Sequence, residues 1–237
     1  MRIAGNFLSL THTPIAGLHY GMQILTNTGG MAMTNSHMVA DEIAKQAVIF
    51  DAPDNTVAPL LDEAVKHGWD VIGLWLTHGH FDHFADHPVV RRRFPNAKFL
   101  IHKSEALKTA QPELQTRLFR LSIEIEPLKV DAYVIDNQVL QIGSMKVQVI
   151  FTPGHAPGHV CYYFPNEKLL IGGDLIIGGS VGRTDLPDSN HSDMEASLRR
   201  VMALPPETRL LGGHGPATTL AHERQTNYFL RDFLDNP

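Results

Sequence analysis

Ten apolar runs of strand length dominate this 237-residue chain and constrain its fold more than any other feature. They have the length and the β-branched and aromatic content of strands, and in chain order they are GMQILT, QAVIFD, DVIGLWLTH, AKFLIH, DAYVID, QVLQIG, MKVQVIFT, HVCYYF, KLLIGGD and TRLLGGH. Only a few helical patterns lie between them, which fits neither a strict alternation of strand and helix nor an all-β sandwich. Two packed sheets with helices outside them fit this order of elements.

Three segments have the apolar spacing of helices that bury one face. The first lies in residues 54–68, where Asp54 is a suitable N-cap and Gly68 a suitable stop. Its predicted apolar stripe consists of Val57, Leu60, Leu61 and Val65. The second helix, in residues 192–204, is predicted to open with a capping box of Ser192 and Glu195.

The third predicted helix spans residues 221–234, and its apolar stripe consists of Tyr228, Phe229, Phe233 and Leu234. Residues 11–37 are rich in Gly, Thr and Asn and predict a long loop or a hairpin. No short repeat, low-complexity tract or linker-like composition divides the chain. Residues 1–237 are therefore predicted to form a single domain.

Charge and cysteine content restrict the partners and the compartment. The net charge of -5 gives no electrostatic footprint for nucleic acid, and Arg91, Arg92 and Arg93 would point about 100° apart on a helix. No run approaches the roughly twenty apolar residues of a transmembrane helix, and the first residues lack the pattern of a signal peptide. The single cysteine, Cys161, lies in an apolar run and suits a reducing compartment. We therefore expect a cytoplasmic protein that binds neither nucleic acid nor membrane.

The stretch LTHGHFDHFADH, residues 76–87, concentrates metal-binding side chains directly after the apolar run VIGLWL. Side chains alternate along an extended segment, so His78, His80 and Asp82 share one side while His83 breaks the alternation. Such an arrangement can supply two neighbouring metal positions. A closed structural zinc needs only four ligands and usually includes cysteine. The surplus of ligands therefore indicates a catalytic metal site.

Three further candidate ligands follow apolar runs downstream and are flanked by glycine. His155 lies in FTPGHAPGH, Asp174 in LLIGGDLI and His214 in RLLGGHGP. Glycine in these turns permits unusual backbone angles and close approach of other groups. The first cluster and these three residues together give five histidines and two aspartates at the predicted ends of strands.

These motifs resemble those of the metallo-β-lactamase superfamily. THGHFDH is similar to its HxHxDH signature, and TPGHAPGH, GGDLI and GGHGP resemble its later ligand motifs in the same order. The match extends from about Thr34 to Leu230, and GGSVGRTDLP is most similar to short, single-domain glyoxalase-II-like hydrolases, also called hydroxyacylglutathione hydrolase-like. The resemblance implies an α+β fold, the four-layer αβ/βα sandwich, with all ligands on loops along one edge of the paired sheets.

The resemblance also implies two divalent metal ions. Residue by residue, it assigns His78, His80 and His155 to one ion, Asp82, His83 and His214 to the second, and Asp174 as the bridge between them. Zinc is the favoured metal, while mixed histidine and carboxylate ligands accommodate iron and manganese as well. The implied activity is hydrolysis of a thioester, such as S-lactoylglutathione or another S-acylglutathione, by a metal-bound hydroxide.

Two residues receive further roles. Asp82 is the candidate catalytic residue, since it can orient the attacking hydroxide in addition to binding metal. In glyoxalase-II-like proteins the segment matched by SVGRTD contacts the thiol carrier, so Arg183 is the candidate for binding a substrate carboxylate. A salt bridge with Asp185 is an equal alternative for Arg183.

Other histidines receive structural interpretations. His159 is predicted to orient a ligand by a hydrogen bond rather than to bind metal. His87 is predicted to lie in a helix that includes ADHPVV, with Pro88 suited to its first turn, and to have a structural or ligand-orienting role; His191 is predicted to lie on an exposed loop. Longer relatives bind glutathione with the help of a C-terminal helical domain, for which the residues up to Pro237 leave no room, so the thiol carrier stays open.

Rival functions within the superfamily remain in view. A persulfide dioxygenase would use a single iron held by two histidines and an aspartate, and a lactonase or another esterase would use the same two-metal chemistry. A non-catalytic metal-binding module is disfavoured because the ligand set is complete. β-Lactamases are exported and lack the bridging aspartate, which Asp174 supplies here, and flavin-linked relatives have glutamate at the position of His80.

Overall fold

Two six-stranded β-sheets form the framework of residues 21–235, the part of the chain that the computed structural model describes. The strands of the first sheet are, in spatial order, β1 (Met22–Gly29), β2 (Thr34–Asp41), β3 (Gln46–Phe50), β4 (Asp70–Trp75), β5 (Lys98–His102) and β6 (Ala132–Val134). Strands β1 to β3 pair antiparallel, and β3 to β6 pair parallel. Parallel pairing places the carboxyl ends of β3 and β4 at the same edge of the sheet.

The second sheet is built from the later half of the chain. Its first four strands are β7 (Val139–Ile142), β8 (Met145–Phe151), β9 (Val160–Phe164) and β10 (Leu169–Gly173); a short hairpin, β11 (Ile176–Ile177) and β12 (Ser180–Val181), precedes β13 (Arg209–Gly212) and β14 (Thr218–Thr219). The spatial order is β14-β13-β10-β9-β8-β7, and only β10 and β13 pair parallel.

Helices cover the outer faces of both sheets. They are α1 (Val57–His67), α2 (His87–Arg93), α3 (Ala106–Ala110), α4 (Glu113–Leu118), α5 (His191–Met202), α6 (Leu220–Thr226) and α7 (Tyr228–Asp235). Short 3-10 turns occupy Phe81–His83 and Lys103–Glu105. Among residues 21–235, every helix is too short or too polar to cross a lipid bilayer.

Alternation of side chains along the strands separates three apolar cores. In β3, Ala47 and Ile49 pack with the residues of α1, whereas Val48 and Phe50 pack between the sheets. In β9, Tyr162 lies between the sheets, whereas Cys161 and Tyr163 pack with α5. Because successive strand residues point to opposite faces, each sheet is buried on both sides. The predicted four-layer αβ/βα sandwich is confirmed.

The predicted strands are confirmed, since each of the ten apolar runs overlaps a strand of the structure. Residues 22–41 form the β1–β2 hairpin, in agreement with the loop or hairpin expected at residues 11–37. The remaining part of that segment and the predicted absence of a signal peptide lie outside the described residues. Cys161 is buried as expected, and burial raises the pKa of its thiol to about 12.

The N-terminal cap of α1 differs from the prediction. Asp54 does not cap this helix; instead, Oδ2 of Asp86 accepts hydrogen bonds from the backbone N–H groups of Thr56 and Val57, both at 3.1 Å. Val65 is exposed, and Ala64 takes its place on the buried face. Gly68 ends the helix with φ of 67°, as predicted.

The C-terminal helices also differ from the predictions. Helix α5 begins earlier than expected, because the side chain of Asn190 accepts a hydrogen bond from the N–H of Asp193; the predicted capping box of Ser192 and Glu195 is wrong. The single helix expected in residues 221–234 is broken at Asn227, whose Oδ1 caps α7 by accepting from the N–H of Leu230. In α7 Leu230 is buried, whereas Tyr228 and Phe229 of the predicted stripe are exposed.

Asp41 joins the two sheets at the end of β2. Its carboxylate accepts hydrogen bonds from the N–H groups of Ile43 and Ala44 and from both the N–H and the hydroxyl of Ser144, in the turn between β7 and β8. Burial alone would raise the pKa of Asp41, but these donors outweigh burial and lower the pKa from its ordinary value of 3.8 to about 2. The ionised carboxylate therefore stabilises the folded state.

We predict that Asp41→Asn lowers the free energy of unfolding at pH 7 by about 2 kcal/mol. Because the pKa is lower in the folded than in the unfolded protein, this stabilisation is complete above the unfolded-state pKa and is lost as pH falls toward 2. Urea unfolding at several pH values should show that the difference in free energy of unfolding between wild type and variant becomes smaller below about pH 4. The exposed Asp70→Asn is the matched control, and a gap independent of pH would contradict the prediction.

Candidate metal centre

Loops at one edge of the paired sheets carry all seven predicted ligands. The first four follow β4, and His155, Asp174 and His214 follow β8, β10 and β13, respectively. Most of the seven side chains are buried, and His214 is the most exposed, at 23%. The strands thus bring together residues that lie up to 136 positions apart in the sequence, from His78 to His214.

His78, His80 and His155 form the first cluster, which we call the three-histidine group. Nδ1 of His80 lies 2.9 Å from Nε2 of His78 and 2.9 Å from Nε2 of His155. Three ring nitrogens therefore converge in a buried space, where the one Nδ1 atom of His80, with a single proton or a single lone pair, cannot make a full hydrogen bond with both of its neighbours. Such convergence of imidazole nitrogens is the arrangement that a transition metal binds.

Asp82, His83 and His214 form the second cluster, which we call the aspartate group. Oδ2 of Asp82 lies 3.6 Å from Nε2 of His83 and 3.6 Å from Nε2 of His214. Asp174 contacts both clusters: its Oδ1 lies 3.5 Å from Nε2 of His83, and its Oδ2 lies 3.5 Å from Nε2 of His155 and 3.3 Å from Nε2 of His214. Asp174 therefore lies where a bridging ligand would be needed.

Two buried atoms of the site support a metal rather than a hydrogen-bonded cluster. Nε2 of His83 and Oδ1 of Asp174 are buried and lie 3.5 Å from each other, and neither makes a well-aligned hydrogen bond with any of residues 21–235, although buried polar atoms in folded proteins are almost always paired. Both atoms face the interior of the clusters. The nitrogen and carboxylate donors together fit a pair of zinc, iron or manganese ions.

The charges of the site are unevenly distributed between the clusters. Burial and the neighbouring histidines lower the pKa values of His78 and His80 well below the ordinary value, so both rings are neutral. Burial opposes protonation of His83, but Asp174, Asp82 and Asp51 outweigh it and raise its pKa well above that value. Without metal, the aspartate group thus holds a proton that an ion must displace.

Asp51, at the carboxyl end of β3, orients ligands in both clusters. Its Oδ1 accepts from the N–H of Thr77 at 2.8 Å, and its Oδ2 accepts from the hydroxyl of Thr77 at 2.8 Å and from Nδ1 of His83 at 2.9 Å. Because the hydroxyl of Thr77 donates to Asp51, it accepts from Nδ1 of His78 at 3.0 Å. These bonds leave Nε2 of His78 and of His83 free to face the site.

The role of Asp51 does not follow from the motifs in the sequence. The sequence feature that points to Asp51 is its place at the end of the strand-like run QAVIFD. The predicted ligands likewise follow the ends of strand-like runs. Asp51 also has a φ of 58°, a left-handed conformation that costs energy for a non-glycine residue and recurs at functional sites. Its buried backbone oxygen accepts a hydrogen bond from the hydroxyl of Ser36.

Other ligands have their own orienting contacts. The hydroxyl of Thr34 donates to Oδ2 of Asp82 at 2.8 Å, and Nδ1 of His155 donates to the backbone oxygen of Arg183 at 2.9 Å. His159 does not join a cluster; its Nε2 accepts from the N–H of Asp174 at 3.0 Å. The orienting hydrogen bond predicted for His159 is thus present, and it holds the backbone of a ligand.

The remaining predictions have mixed outcomes. The guanidinium of Arg183 makes a two-point salt bridge with Asp185, at 2.6 and 2.7 Å, and both side chains are exposed. His87 begins α2 with Pro88 in the first turn, and its Nε2 donates to the backbone oxygen of Glu126, away from both clusters. His191 is exposed as predicted, although it opens α5 instead of lying on a loop.

We predict that Asp51→Asn lowers the affinity for divalent metal by about 10- to 100-fold. The amide replaces one acceptor oxygen with an NH2 group, which cannot accept from Thr77 or His83. Competition with a chromophoric chelator measures the affinity, and the exposed Asp70→Asn provides the control. Unchanged affinity in Asp51→Asn would show that this carboxylate does not position the ligands.

Comparison with known proteins identifies related chains. Residues 29–214 match the family model described as the metallo-beta-lactamase superfamily. The probable metallo-hydrolase YqgX of Bacillus subtilis is 33% identical over 79% of this chain and 89% of its own length. The hydroxyacylglutathione hydrolase of Maricaulis maris is 30% identical over 75% of this chain and 60% of its own length.

Two solved structures share the fold. BLEG-1, described as a B3 metallo-beta-lactamase, has a TM-score of 0.80 and is 32% identical, covering 87% of this chain and 99% of its own. TTHA1623, solved in a di-iron-bound form, has a TM-score of 0.74 and is 35% identical, covering 85% of this chain and 97% of its own. Proteins with this fold therefore include one with two irons and one with a β-lactamase description.

Proposed function

The chain belongs to the metallo-beta-lactamase superfamily and is a metallo-hydrolase, and we propose that it hydrolyses thioesters, with S-acylglutathione as the substrate class and S-lactoylglutathione as its first representative. The observation that carries the proposal is the convergence of the two clusters on Asp174, where His83 and Asp174 each have a buried atom that makes no well-aligned hydrogen bond to the described part of the chain. The relatives named hydroxyacylglutathione hydrolase supply the substrate class.

We propose that the three-histidine group and the aspartate group each hold one divalent ion, with Asp174 shared between them. Zinc remains the favoured metal, and the di-iron form of TTHA1623 keeps iron as an alternative. When bound, such a pair lowers the pKa of a coordinated water from 15.7 to about 7 and polarises the carbonyl oxygen of the substrate.

The residues of the chain would then position the reacting groups. Oδ2 of Asp82, the oxygen held by Thr34, faces His83 and His214, so Asp82 is proposed to orient the nucleophile as well as to bind metal. A leaving thiolate needs no proton from the protein, because thiols ionise near pH 8.5. Because a coordinated water would supply the attacking oxygen, a serine or cysteine nucleophile is unnecessary, and the buried Cys161 is given no part in the proposed reaction.

Arg183 is proposed as a substrate contact at the mouth of the site. Its backbone oxygen is bonded to His155, which fixes the residue beside the three-histidine group. Its exposed guanidinium, now paired with Asp185, would release Asp185 and bind a substrate carboxylate in its place. Two-point pairing of a guanidinium with a carboxylate is strong. We further propose that residues 1–237 act as a single hydrolase domain in the cytoplasm.

β-Lactam hydrolysis is the second candidate function, because BLEG-1 is matched over almost its full length. The two functions differ in the bond that is cleaved, a thioester or an amide. An amide has a far poorer leaving group, which needs a proton donor. Parallel assays with S-D-lactoylglutathione and a β-lactam therefore separate them.

We predict turnover of S-D-lactoylglutathione by the metal-loaded protein and loss of that turnover to the background rate in Asp174→Ala, together with a reduced metal content. Removal of Asp174 takes one ligand from both clusters. Absorbance assays and metal analysis of the purified proteins provide the measurements, and His78→Ala is the control for the three-histidine group. Full activity in Asp174→Ala would overturn the two-metal model.

Absence of thioester turnover in the metal-loaded wild type would reject the proposed substrate class. Faster hydrolysis of a β-lactam would then favour the second candidate, and oxygen uptake with glutathione persulfide would instead indicate a dioxygenase.

A further inference from the structure

Glu105 is a buried carboxylate between the two loops that carry the three-histidine group. It ends the 3-10 turn after β5 and is fully buried. Its Oε2 accepts from the N–H of Gly79 at 3.0 Å, and its Oε1 accepts from the N–H of Gly158 at 2.6 Å. Gly79 lies between His78 and His80, and Gly158 lies three residues after His155. One side chain thus connects both loops.

The two glycines leave the space that this contact needs. A Cβ atom on Gly79 would lie 2.8 Å from Oε2 of Glu105, and a Cβ atom on Gly158 would lie 2.7 Å from its Cγ. Real Cβ atoms essentially never approach other atoms that closely. Neither Gly79 nor Gly158 has a positive φ, so backbone conformation does not require glycine at these positions. Glycine is required there because it leaves room for the side chain of Glu105.

Gln115 of α4 holds the same loop from the other side. Its Nε2 donates to the backbone oxygen of Gly79 at 2.8 Å, and its Oε1 accepts from the N–H of Phe81 at 2.9 Å. Both polar groups of Gly79 are thus bonded to buried side chains. The peptide that joins the first two ligands of the three-histidine group is fixed in position.

Lys108 compensates the charge of Glu105 and extends the network to a third loop. Its Nζ lies 3.0 Å from Oε2 of Glu105 and 2.5 Å from Oδ2 of Asp188. A buried carboxylate needs such a partner together with its hydrogen bonds. The neighbour of Asp188, Ser189, donates its hydroxyl to the backbone oxygen of His155 at 2.8 Å.

We infer that Glu105 is a positioning residue that sets the separation of the three-histidine ligands and thereby the affinity of one ion of the pair. The inference rests on the metal pair proposed above but not on its substrate. Asp51 bonds to His83 and orients His78 through Thr77, whereas Glu105 bonds to the N–H of Gly79, between His78 and His80, and to that of Gly158, near His155. The contacts of Asp51 thus reach both clusters, while those of Glu105 lie beside the three-histidine group.

Glu105→Gln is the test. The amide can accept from one glycine N–H, but its NH2 group would confront the other donor. Calorimetric titration of the metal-free proteins with zinc should show two ions bound to wild type. In Glu105→Gln the affinity for one ion should fall by about 10- to 100-fold, and the affinity for the other should change by less than about threefold. Glu113→Gln, an exposed change in α4 next to this network, is the matched control.

Both clusters include ligands from the loop of residues 78–83, so a general destabilisation of that loop would lower the affinity for both ions. A loss of affinity for one ion alone is therefore a result that general destabilisation would not produce. If Glu105→Gln binds both ions as tightly as wild type, the inference is wrong while the metal pair stands. If wild type binds no zinc, the proposed function fails first. An equal loss of affinity for both ions would also overturn the inference, since Glu105 would then stabilise the whole site and not the three-histidine group in particular.

Hydrogen exchange of the metal-free wild type provides a second test that needs no variant. The amide protons of Gly79 and Gly158 should be protected, because both donate to a buried carboxylate. Exchange of both at the rate of unprotected amides would contradict the inference even if Glu105→Gln did not fold.

Discussion

The hydrogen bonds to the carboxylate of Asp51 are the interaction on which the geometry of the site depends. They join the carboxyl end of β3 to the residues that follow β4 and set the ring orientation of His83 directly and of His78 through Thr77. A buried carboxylate is costly unless donors satisfy it, so this arrangement exists only when both strands are in register. The fold and the direction of two ligand nitrogens are therefore coupled through one residue.

The four-layer architecture explains why the ligands can converge from distant parts of the chain. Each ligand stands on a loop that begins where a strand buried on both faces ends, so rigid elements position the loops. The resulting cluster is unfavourable in isolation: buried imidazole nitrogens face one another, and within residues 21–235 His83 and Asp174 each keep a buried atom that makes no well-aligned hydrogen bond. Natural proteins accept such local cost at functional sites, where a bound ion offsets it.

The sequence predicts the parts of the structure that depend on local pattern. All ten apolar runs overlap strands, and the seven predicted ligands lie together at one edge. One failure is local, since Asn190 rather than Ser192 caps α5. Two others involve partners that are distant in sequence: Asp86 caps α1 in place of Asp54, and Asn227, at which the last predicted helix breaks, donates to the backbone oxygen of Ser180. The roles of Asp51 and Glu105 could not be predicted for the same reason, because the backbone N–H groups that donate hydrogen bonds to them lie 26 to 53 residues away.

The most direct test of the central claim is anomalous X-ray diffraction from crystals of the metal-loaded protein, measured on either side of the absorption edge of the bound metal. The account predicts two peaks about 3.5–4 Å apart: one among His78, His80 and His155, and one among Asp82, His83 and His214, with Asp174 in contact with both. A single peak at full metal loading, or peaks away from these residues, would contradict it.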